Sequence, residues 1–302
     1  MVDGLLLIDK QKGPTSHDVI DSLRKLINQK RIGHSGTLDP AATGLLVVLV
    51  GKTTRLAKWM QKEDKRYCGT FRLGIATDTL DATGKVLAKR ACGFSEKEIQ
   101  DAAKSLTGTI TQTPPNYSAI KVNGKRAYKV TREGGEVKLL PREVKVNDLI
   151  VQMDEGGEYP SVTFSIKCSS GTYIRTIASD FGAFLGCPAH LENLRRLEVG
   201  HLQIKDSVTL EALSAVEPAK RSLLVKPMRD AVDMPEVFVS EAALGGISDG
   251  CKSETLQQVG EWKPEDIAKI VREKTGDLIG LGKIQNDDDS GIVMVRPIRV
   301  FI

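Results

Sequence analysis

The sequence contains no apolar run long enough to cross a membrane. Its longest such run, Leu45 to Val50, is far shorter than the roughly 18 residues that a membrane-spanning helix needs. The N-terminus also lacks the apolar segment and small-residue cleavage site of a secretory signal. We therefore expect a cytosolic protein with no membrane partner.

Cysteine and histidine are scarce. The four histidines show no His-Glu-x-x-His spacing, so we predict no metal site. An odd number of scattered cysteines without a Cys-x-x-Cys pair is not a disulfide framework. We expect the cysteines to be free thiols in the core; they are Cys68, Cys92, Cys168, Cys187 and Cys251.

Motifs for nucleotide cofactors are absent as well. Gly51-Lys52-Thr53 follows an apolar run, but a phosphate-binding loop would need a glycine where this chain has Leu46. No Gly-x-Gly-x-x-Gly follows a predicted strand, so a dinucleotide site has no support. A nucleotide hydrolase is excluded, and no cofactor is implied.

What is present is typical of a folded protein. The 302 residues are 40% hydrophobic, 27% charged and only 5% aromatic, which excludes collagen-like, mucin-like and largely disordered chains. Residues 234–302 hold eight Lys or Arg against twelve Asp or Glu, a net charge of −4, so residues 1–233 carry +8. A cationic body suggests a polyanionic partner such as nucleic acid, the alternative being a solvated basic face.

Hydrophobic spacing predicts an α+β fold. Strands are expected over 4–9, 45–50, 67–73 and 162–168. A helix should begin near Thr15 or Ser16 and end before Gly33, a second follows the capping box Ser95-x-x-Glu98, and a third follows Gly171. The elements lack a strict βαβ period, which favours a mixed, largely antiparallel sheet.

The chain should divide into two domains. The pattern breaks near Asp230 to Pro235, and short apolar pieces alternate with turns beyond it. We predict a catalytic domain over residues 1–233 and a small β-rich domain over residues 234–302.

A basic segment bounded by proline and glycine lies between residues 113 and 134. Its cations, Lys121, Lys125, Arg126 and Lys129, are interleaved with tyrosines. Such a segment could pair with phosphates and stack on bases, or it could be a hairpin with a solvated face. Both interpretations remain open from the residues alone.

Asp39 stands before Pro40 in a glycine-rich loop, where an ordinary turn is one interpretation. The whole string Arg31-Ile-Gly-His-Ser-Gly-Thr-Leu-Asp-Pro-Ala-Ala-Thr-Gly-Leu-Leu46, however, closely resembles the catalytic motif of the TruB family of bacterial tRNA pseudouridine synthases. Further similar motifs follow in family order: Gly13-Pro-Thr-Ser16, Asp64-Lys-Arg-Tyr67, Gly171-Thr-Tyr-Ile-Arg175 and Leu194-Arg-Arg-Leu197. One departure is Gln11, where the family commonly has proline.

The resemblance implies the pseudouridine synthase fold and an isomerase that converts uridine 55 in the T-arm loop of tRNA to pseudouridine. Asp39 occupies the position of the family's catalytic aspartate, Arg175 that of the arginine paired with it, and Tyr67 that of the tyrosine lying against the target base. Without the resemblance, Arg175 would be a surface helix residue and Tyr67 an ordinary strand aromatic. The reaction needs no redox cofactor, in agreement with the missing motifs.

The resemblance also implies substrate-binding residues. Tyr173 and Leu194 would help form the base pocket, and His34 would enter the RNA loop and support the flipped base. Lys10 would be a structural or phosphate contact. The insert at about residues 108–145 would act as an RNA clamp, and residues 234–302 would form a PUA-like RNA-binding domain. We expect a monomer that binds the T-arm stem-loop of tRNA and requires no protein partner.

Two other functions are compatible with parts of the sequence. An RNA-folding protein could remodel tRNA without modifying it, but the set Asp39, Tyr67 and Arg175 favours an enzyme. A guide-RNA-dependent synthase could share the motifs, but the long insert favours a stand-alone enzyme.

Overall fold

A computed structural model describes residues 2–118, 121–122, 124–126, 130, 133, 135, 139–154, 157–287 and 292–302; the side chains of residues 121, 122, 125 and 126 are not included. Ten of the described strands form one large sheet. Its order is β14-β1-β3-β12-β4-β11-β10-β7, with β2 on β3 and β13 on β12. These strands are β1 (Gly4–Lys10), β2 (Ile32–His34), β3 (Thr43–Val50), β4 (Lys65–Leu73), β7 (Gly108–Gln112), β10 (Arg142–Met153), β11 (Ser161–Cys168), β12 (Ala189–Val199), β13 (Leu202–Gln203) and β14 (Lys226–Pro227).

Within this sheet, β12 pairs with β3 in parallel and the other pairs are antiparallel. The prediction of a mixed, largely antiparallel sheet is confirmed. Two small hairpins stand outside it: β5 (Ile75–Thr77) with β6 (Val86–Lys89), and β8 (Lys121–Val122) with β9 (Lys125–Arg126).

Helices cover the sheet on both faces. They are α1 (Ser16–Leu26), α2 (Ala57–Gln61), α3 (Glu96–Ser105), α4 (Ile174–Phe184) and α5 (Leu210–Ala215), with 3₁₀ turns at Gly51–Leu56, Ile204–Asp206, Pro218–Leu224 and Met228–Ala231. The predicted capping box of Ser95 with Glu98 forms before α3, and Thr15, one of the two N-cap candidates, forms a further capping box with Asp18 before α1. None of the described helices combines the length and apolar character needed to span a membrane.

The helix α1 is shorter than the apolar spacing predicts. It ends at Leu26, with Ile27 as its C-cap, and the left-handed residue that follows is Asn28, at φ 50°. Gly33 does not terminate the helix; it lies in β2, paired with Leu49. Asparagine tolerates the left-handed conformation better than most residues, so the chain turns five residues before the predicted glycine.

The unbroken apolar runs of β1 and β3 have a simple cause, because both strands are buried on both faces. Leu5, Val47 and other odd-numbered positions face one core cluster, and Leu6, Val48 and other even-numbered positions face a second cluster with α1. Full burial of such a side chain contributes about 1.5–3 kcal/mol, so these two strands carry much of the buried core at their end of the sheet. A third cluster lies between β4, β10, β11 and helices α3 and α4.

The C-terminal residues form the predicted β-rich unit. Six strands follow the order β16-β20-β19-β18-β15-β17. They are β15 (Glu236–Val239), β16 (Ser253–Glu254), β17 (Gln257–Val259), β18 (Ile267–Arg272), β19 (Leu278–Asn286) and β20 (Val293–Val300), with a 3₁₀ turn at Glu241–Ala243 and helix α6 (Leu244–Ser248). Leu278, Leu281 and Phe301 belong to the same core cluster as Leu5 and Val47, so the two sheets share buried surface.

The five cysteines are free, as predicted. Cys168 and Cys187 are buried, and Cys68 and Cys92 are partly buried. Cys251 is exposed, so the prediction that all five lie in the core is wrong for this residue. It follows helix α6 in an exposed turn over residues 249–252.

Candidate active site

The loop that carries Asp39 lies between β2 and β3, beside the parallel pairing of β3 with β12. That pairing brings Arg196 opposite Gly44. A Cβ at Gly44 would lie 2.3 Å from the Arg196 carbonyl oxygen, and its φ is +101°. Only glycine fits this close approach and this backbone conformation. The glycine of the motif therefore lets the Asp39 loop join the strand next to β12.

Two buried polar side chains hold this loop from the protein interior. The Ser16 hydroxyl accepts from the Leu38 N–H at 2.9 Å and donates to the Leu38 carbonyl at 3.0 Å. The Lys10 ammonium contacts the carbonyl oxygens of Ala42 at 2.7 Å, Asp39 at 3.2 Å and Pro40 at 3.3 Å. The loop backbone around Asp39 is thus fixed by donors beneath it.

Lys10 is 1% exposed. Burial lowers the pKa of its ammonium from 10.5 to about 8; the Asp39 charge opposes this shift and the Arg196 charge adds to it. Of the two roles considered for Lys10, the geometry favours the structural one, because its ammonium faces loop carbonyls rather than the surface.

Asp39 forms an ion pair with Arg175. The distance from Arg175 Nη2 to Asp39 Oδ2 is 3.2 Å; the Arg175 side chain is 9% exposed and that of Asp39 is 48% exposed. Arg175 lies in the first turn of α4 and also donates to the carbonyls of Thr79 at 3.2 Å and Tyr117 at 2.9 Å. The carboxylate therefore reaches solvent while its partner stays inside.

A second carboxylate, Asp81, holds the other side of Arg175. Its Oδ2 lies 3.6 Å from Arg175 Nη1, and its side chain is 14% exposed. The hydroxyls of Thr79 and Thr83 donate to Asp81 Oδ1 at 2.7 and 2.6 Å. No sequence pattern points to Asp81, because it lies in a turn far from Asp39 and Arg175 along the chain and no spacing links it to them.

Tyr67 stands on β4, directly opposite Arg196 on β12. Cross-strand partners project to the same face of a sheet, so the phenol and the guanidinium are neighbours. Burial raises the pKa of Tyr67; the charge of Arg196 and its hydrogen bonding to the phenol oppose the rise. The Asp39 carboxylate adds to the rise in pKa, so Tyr67 stays a neutral phenol at pH 7.

Tyr173 and Leu194 flank the site on different elements. Tyr173 precedes α4, where its backbone N–H donates to Gln112 Oε1 at 2.7 Å and its carbonyl accepts from Gln112 Nε2 at 3.1 Å. Arg142 lies over the Tyr173 ring, 5.1 Å from its centroid. Leu194 is partly buried and packs against the clusters on both sides of β12.

His34 ends β2, just before the Asp39 loop. Its Nδ1 atom is buried and has no hydrogen-bond partner among the described residues. Burial is the main cause that lowers its pKa, and the charges of Arg196 and His17 lower it further. The imidazole is therefore neutral at pH 7.

The structure brings together Asp39 and Arg175 directly, with Lys10 beneath their loop. Arg196 is the neighbour whose charge acts on Lys10, Tyr67 and His34 alike. In the clamp segment, Lys121 pairs with Arg126 through the backbone. The predicted contacts of Lys121, Lys125 and Arg126 fall on side chains outside the described set, and Lys129 lies outside the described residues.

Two family models match the chain. The first is described as TruB family pseudouridylate synthase, N-terminal domain, and covers residues 24–174. The second, tRNA pseudouridylate synthase B C-terminal domain, covers residues 175–233. Together they span the loop of Asp39, strand β4 and the start of α4.

Curated relatives match over most of the chain. A tRNA pseudouridine synthase B from Moorella thermoacetica is 37% identical over 99% of both chains. One from Opitutus terrae is 46% identical over 71% of this chain and 88% of the relative. A third, from Pectobacterium atrosepticum, is 38% identical over 95% and 92%.

Two solved structures are similar to this chain over 99% of its length. The chain in a Cbf5-Nop10-Gar1 complex is 26% identical, with a TM-score of 0.75 over 99% of this chain and 85% of that chain. The chain in an archaeal box H/ACA Nop10-Cbf5 complex is 23% identical with a TM-score of 0.72 and shows the shared fold.

The sheet, the aspartate loop and these matches define a pseudouridine synthase, an isomerase of uridine in RNA. The Moorella thermoacetica relative and this chain align over 99% of their lengths. The chain belongs to the TruB family.

Proposed function

We propose that this enzyme converts uridine 55 in the T-arm loop of tRNA to pseudouridine. The name shared by the curated relatives supports tRNA as the substrate, and the family resemblance of the loop motif supports the T-arm position. The observation that carries the chemistry is the ion pair of the half-exposed Asp39 with the buried Arg175.

The reaction rearranges bonds within one nucleotide. The bond from C1′ to N1 breaks, the uracil rotates, and a bond from C1′ to C5 forms; C5 loses a proton and N1 gains one. Asp39 would attack C1′ covalently or stabilise the positive charge that develops on the sugar. Either route needs an ionised carboxylate that reaches the nucleotide, and the 48% exposure of Asp39 is compatible with both.

Arg175 would pair with the Asp39 carboxylate and hold it aimed outward. A guanidinium stays charged at every physiological pH, and this one is fixed by two carbonyls and by Asp81. Tyr67, a neutral phenol beside the loop, would lie against the base and relay the proton from C5, releasing its own hydroxyl proton to water as it takes up the new one.

The target base must leave its stack, at a cost of a few kcal/mol that contacts in the pocket recover. Tyr173 and Leu194 would form this pocket on either side of the loop. His34 would enter the RNA in place of the flipped base, and its neutral state suits stacking among bases.

RNA binding would extend beyond the pocket. We propose Lys121, Lys125, Arg126 and Lys129 as phosphate contacts of the clamp, and residues 234–302 as a PUA-like domain that assists with whole tRNA. The division at residue 233 is supported by the two sheets, whose strands end at Pro227 and begin again at Glu236.

A guide-RNA-dependent synthase is a second candidate, because a Cbf5 chain shares the fold. We propose instead a monomer that needs neither guide RNA nor protein partner, since the curated relatives compared above are all named as tRNA enzymes.

The purified chain should modify an unmodified tRNA transcript without other components. Mass analysis of nuclease digests would locate the pseudouridine. Asp39→Asn should abolish the product and leave tRNA affinity within a few fold, because the lost charge acts on the reaction rather than on phosphates. The control is Asp21→Asn, which changes a carboxylate on the outer face of α1. Turnover by the Asp39→Asn variant would exclude the proposed role of Asp39; activity only with added guide RNA would favour the second candidate.

A further inference from the structure

Arg196 is a buried arginine on β12. It is 2% exposed, and within the part of the chain that the structure describes no ion pair neutralises it. A buried charge is unfavourable unless hydrogen bonds compensate for its lost hydration. The hydrogen bonds of its guanidinium therefore indicate which part of the structure the buried charge stabilises.

The guanidinium bonds to both sides of the loop that carries Asp39. Its Nη2 donates to the Gly36 carbonyl at 3.1 Å and its Nη1 to the Thr37 carbonyl at 3.4 Å, before Asp39. Its Nε donates to the Leu45 carbonyl at 2.7 Å, after Asp39. One rigid planar group thus spans the two ends of the loop.

The same residue is tied to the strand of Tyr67. The backbone of Arg196 pairs with Gly44 on β3 and with Tyr67 on β4. Arg196 therefore connects the Asp39 loop, through its side chain, with the strand of Tyr67, through its backbone. A shift of its guanidinium would move the loop relative to the phenol.

We infer that Arg196 is a positioning residue, which fixes the Asp39 loop relative to Tyr67 by bridging the Gly36–Thr37 and Leu45 carbonyls. The inference rests on the proposed roles of Asp39 and Tyr67. It assigns Arg196 no contact with the RNA, because the side chain is buried and its donors face the loop carbonyls and the Tyr67 phenol.

The test is Arg196→Lys, which keeps the charge but cannot span the three carbonyls. The matched control is Arg72→Lys on β4, whose guanidinium bonds to the Tyr159 carbonyl and to Glu192 away from the site. Single-turnover rate at saturating tRNA, tRNA Kd and Tm would be measured for both variants. We expect the rate of Arg196→Lys to fall at least tenfold with Kd within threefold, at temperatures where both variants are folded.

Two outcomes would overturn the inference. A wild-type rate in the Arg196→Lys variant would show that the planar guanidinium bridge is dispensable. A structural role alone would be shown if Arg196→Lys lost no more rate than Arg72→Lys does and this loss was explained by a lower Tm. Failure of the proposed function would be distinguishable, since wild-type enzyme would then give no product or Asp39→Asn would retain it.

If Arg196→Lys does not fold, the wild-type protein still allows a test. With ¹⁵N-labelled arginine, the Nε–H of Arg196 should exchange with solvent at least tenfold more slowly than that of Arg72, because it is buried against the Leu45 carbonyl. Equal exchange of the two protons would refute the bridge.

Discussion

Replacement of Lys10 should reduce the reaction rate much more than it reduces the stability of the fold. In Lys10→Met the chain keeps a long unbranched side chain of similar volume, but the loop loses its central donor. The Ala42 carbonyl then has no other hydrogen-bond donor among the described residues, whereas the Asp39 and Pro40 carbonyls keep the N–H groups of Ala42 and Gly13.

The opposing energies can be compared. Loss of three loop contacts to a charged donor costs about 4–6 kcal/mol, using about 1.5–3 for the orphaned carbonyl and somewhat less for the other two. The charge no longer has to be buried, and a pKa that falls from 10.5 to about 8 corresponds to about 3 kcal/mol. The net loss of stability should be only about 1–3 kcal/mol.

Turnover should fall further than this small loss suggests, because the backbone of Asp39 is no longer fixed from below. We expect a reduction of more than tenfold in single-turnover rate at saturating tRNA, measured beside urea unfolding. The control is Lys12→Met, which removes an exposed lysine two residues away and should change stability by less than about 0.5 kcal/mol.

Full turnover by a folded Lys10→Met variant would refute the argument that the ammonium orders the loop. A stability loss well above about 4 kcal/mol would show that relief of burial does not offset the lost contacts.

Three further changes have expected outcomes. Asp81→Asn should lower the single-turnover rate about tenfold with tRNA affinity within threefold, because Arg175 loses one of its two carboxylates; equal loss in Asp78→Asn, a neighbouring change, would contradict this. Burial lowers the pKa values of Lys10 and Lys65 to about 8, so between about pH 8 and 10.5 the unfolded chain binds more protons and these groups should add stability as pH rises. Urea unfolding of wild type and Lys10→Met across that range would show a smaller pH-dependent gain in the variant, and identical slopes would contradict it. Neutralising Lys121, Lys125, Arg126 and Lys129 together should weaken tRNA binding and flatten its salt dependence, since each phosphate contact releases counterions; an unchanged slope would show that these cations are only solvated.

The shared core between the two sheets affects how the C-terminal unit can be tested. Removal of residues 234–302 would uncover Leu5 and Val47, which pack with Leu281 and Phe301. A truncated chain would therefore lose stability as well as any RNA contact. Substitution of the exposed Arg296 and Arg299 on β20 leaves this core intact and separates the two effects.

Much of the local structure follows from the sequence alone. The capping residues Thr15 and Ser95 start helices where their patterns predict, because an N-cap is satisfied by residues three positions away. The apolar runs of β1 and β3 likewise indicate strands buried on both faces. The Asp39 motif identified the family, since its residues are contiguous.

The site itself was decided by tertiary structure. Arg175, Asp39 and Asp81 meet from three distant segments, and no periodicity along the chain encodes that meeting. The parallel pairing of β3 with β12 places Arg196 under the Asp39 loop, which spacing along the chain could not show. The sequence left Lys10 as either a structural or a phosphate contact. Its burial and its bonds to loop carbonyls favour the structural role. Local patterns record what a residue does within a few positions; which carboxylate faces which guanidinium depends on the order of strands in the sheet.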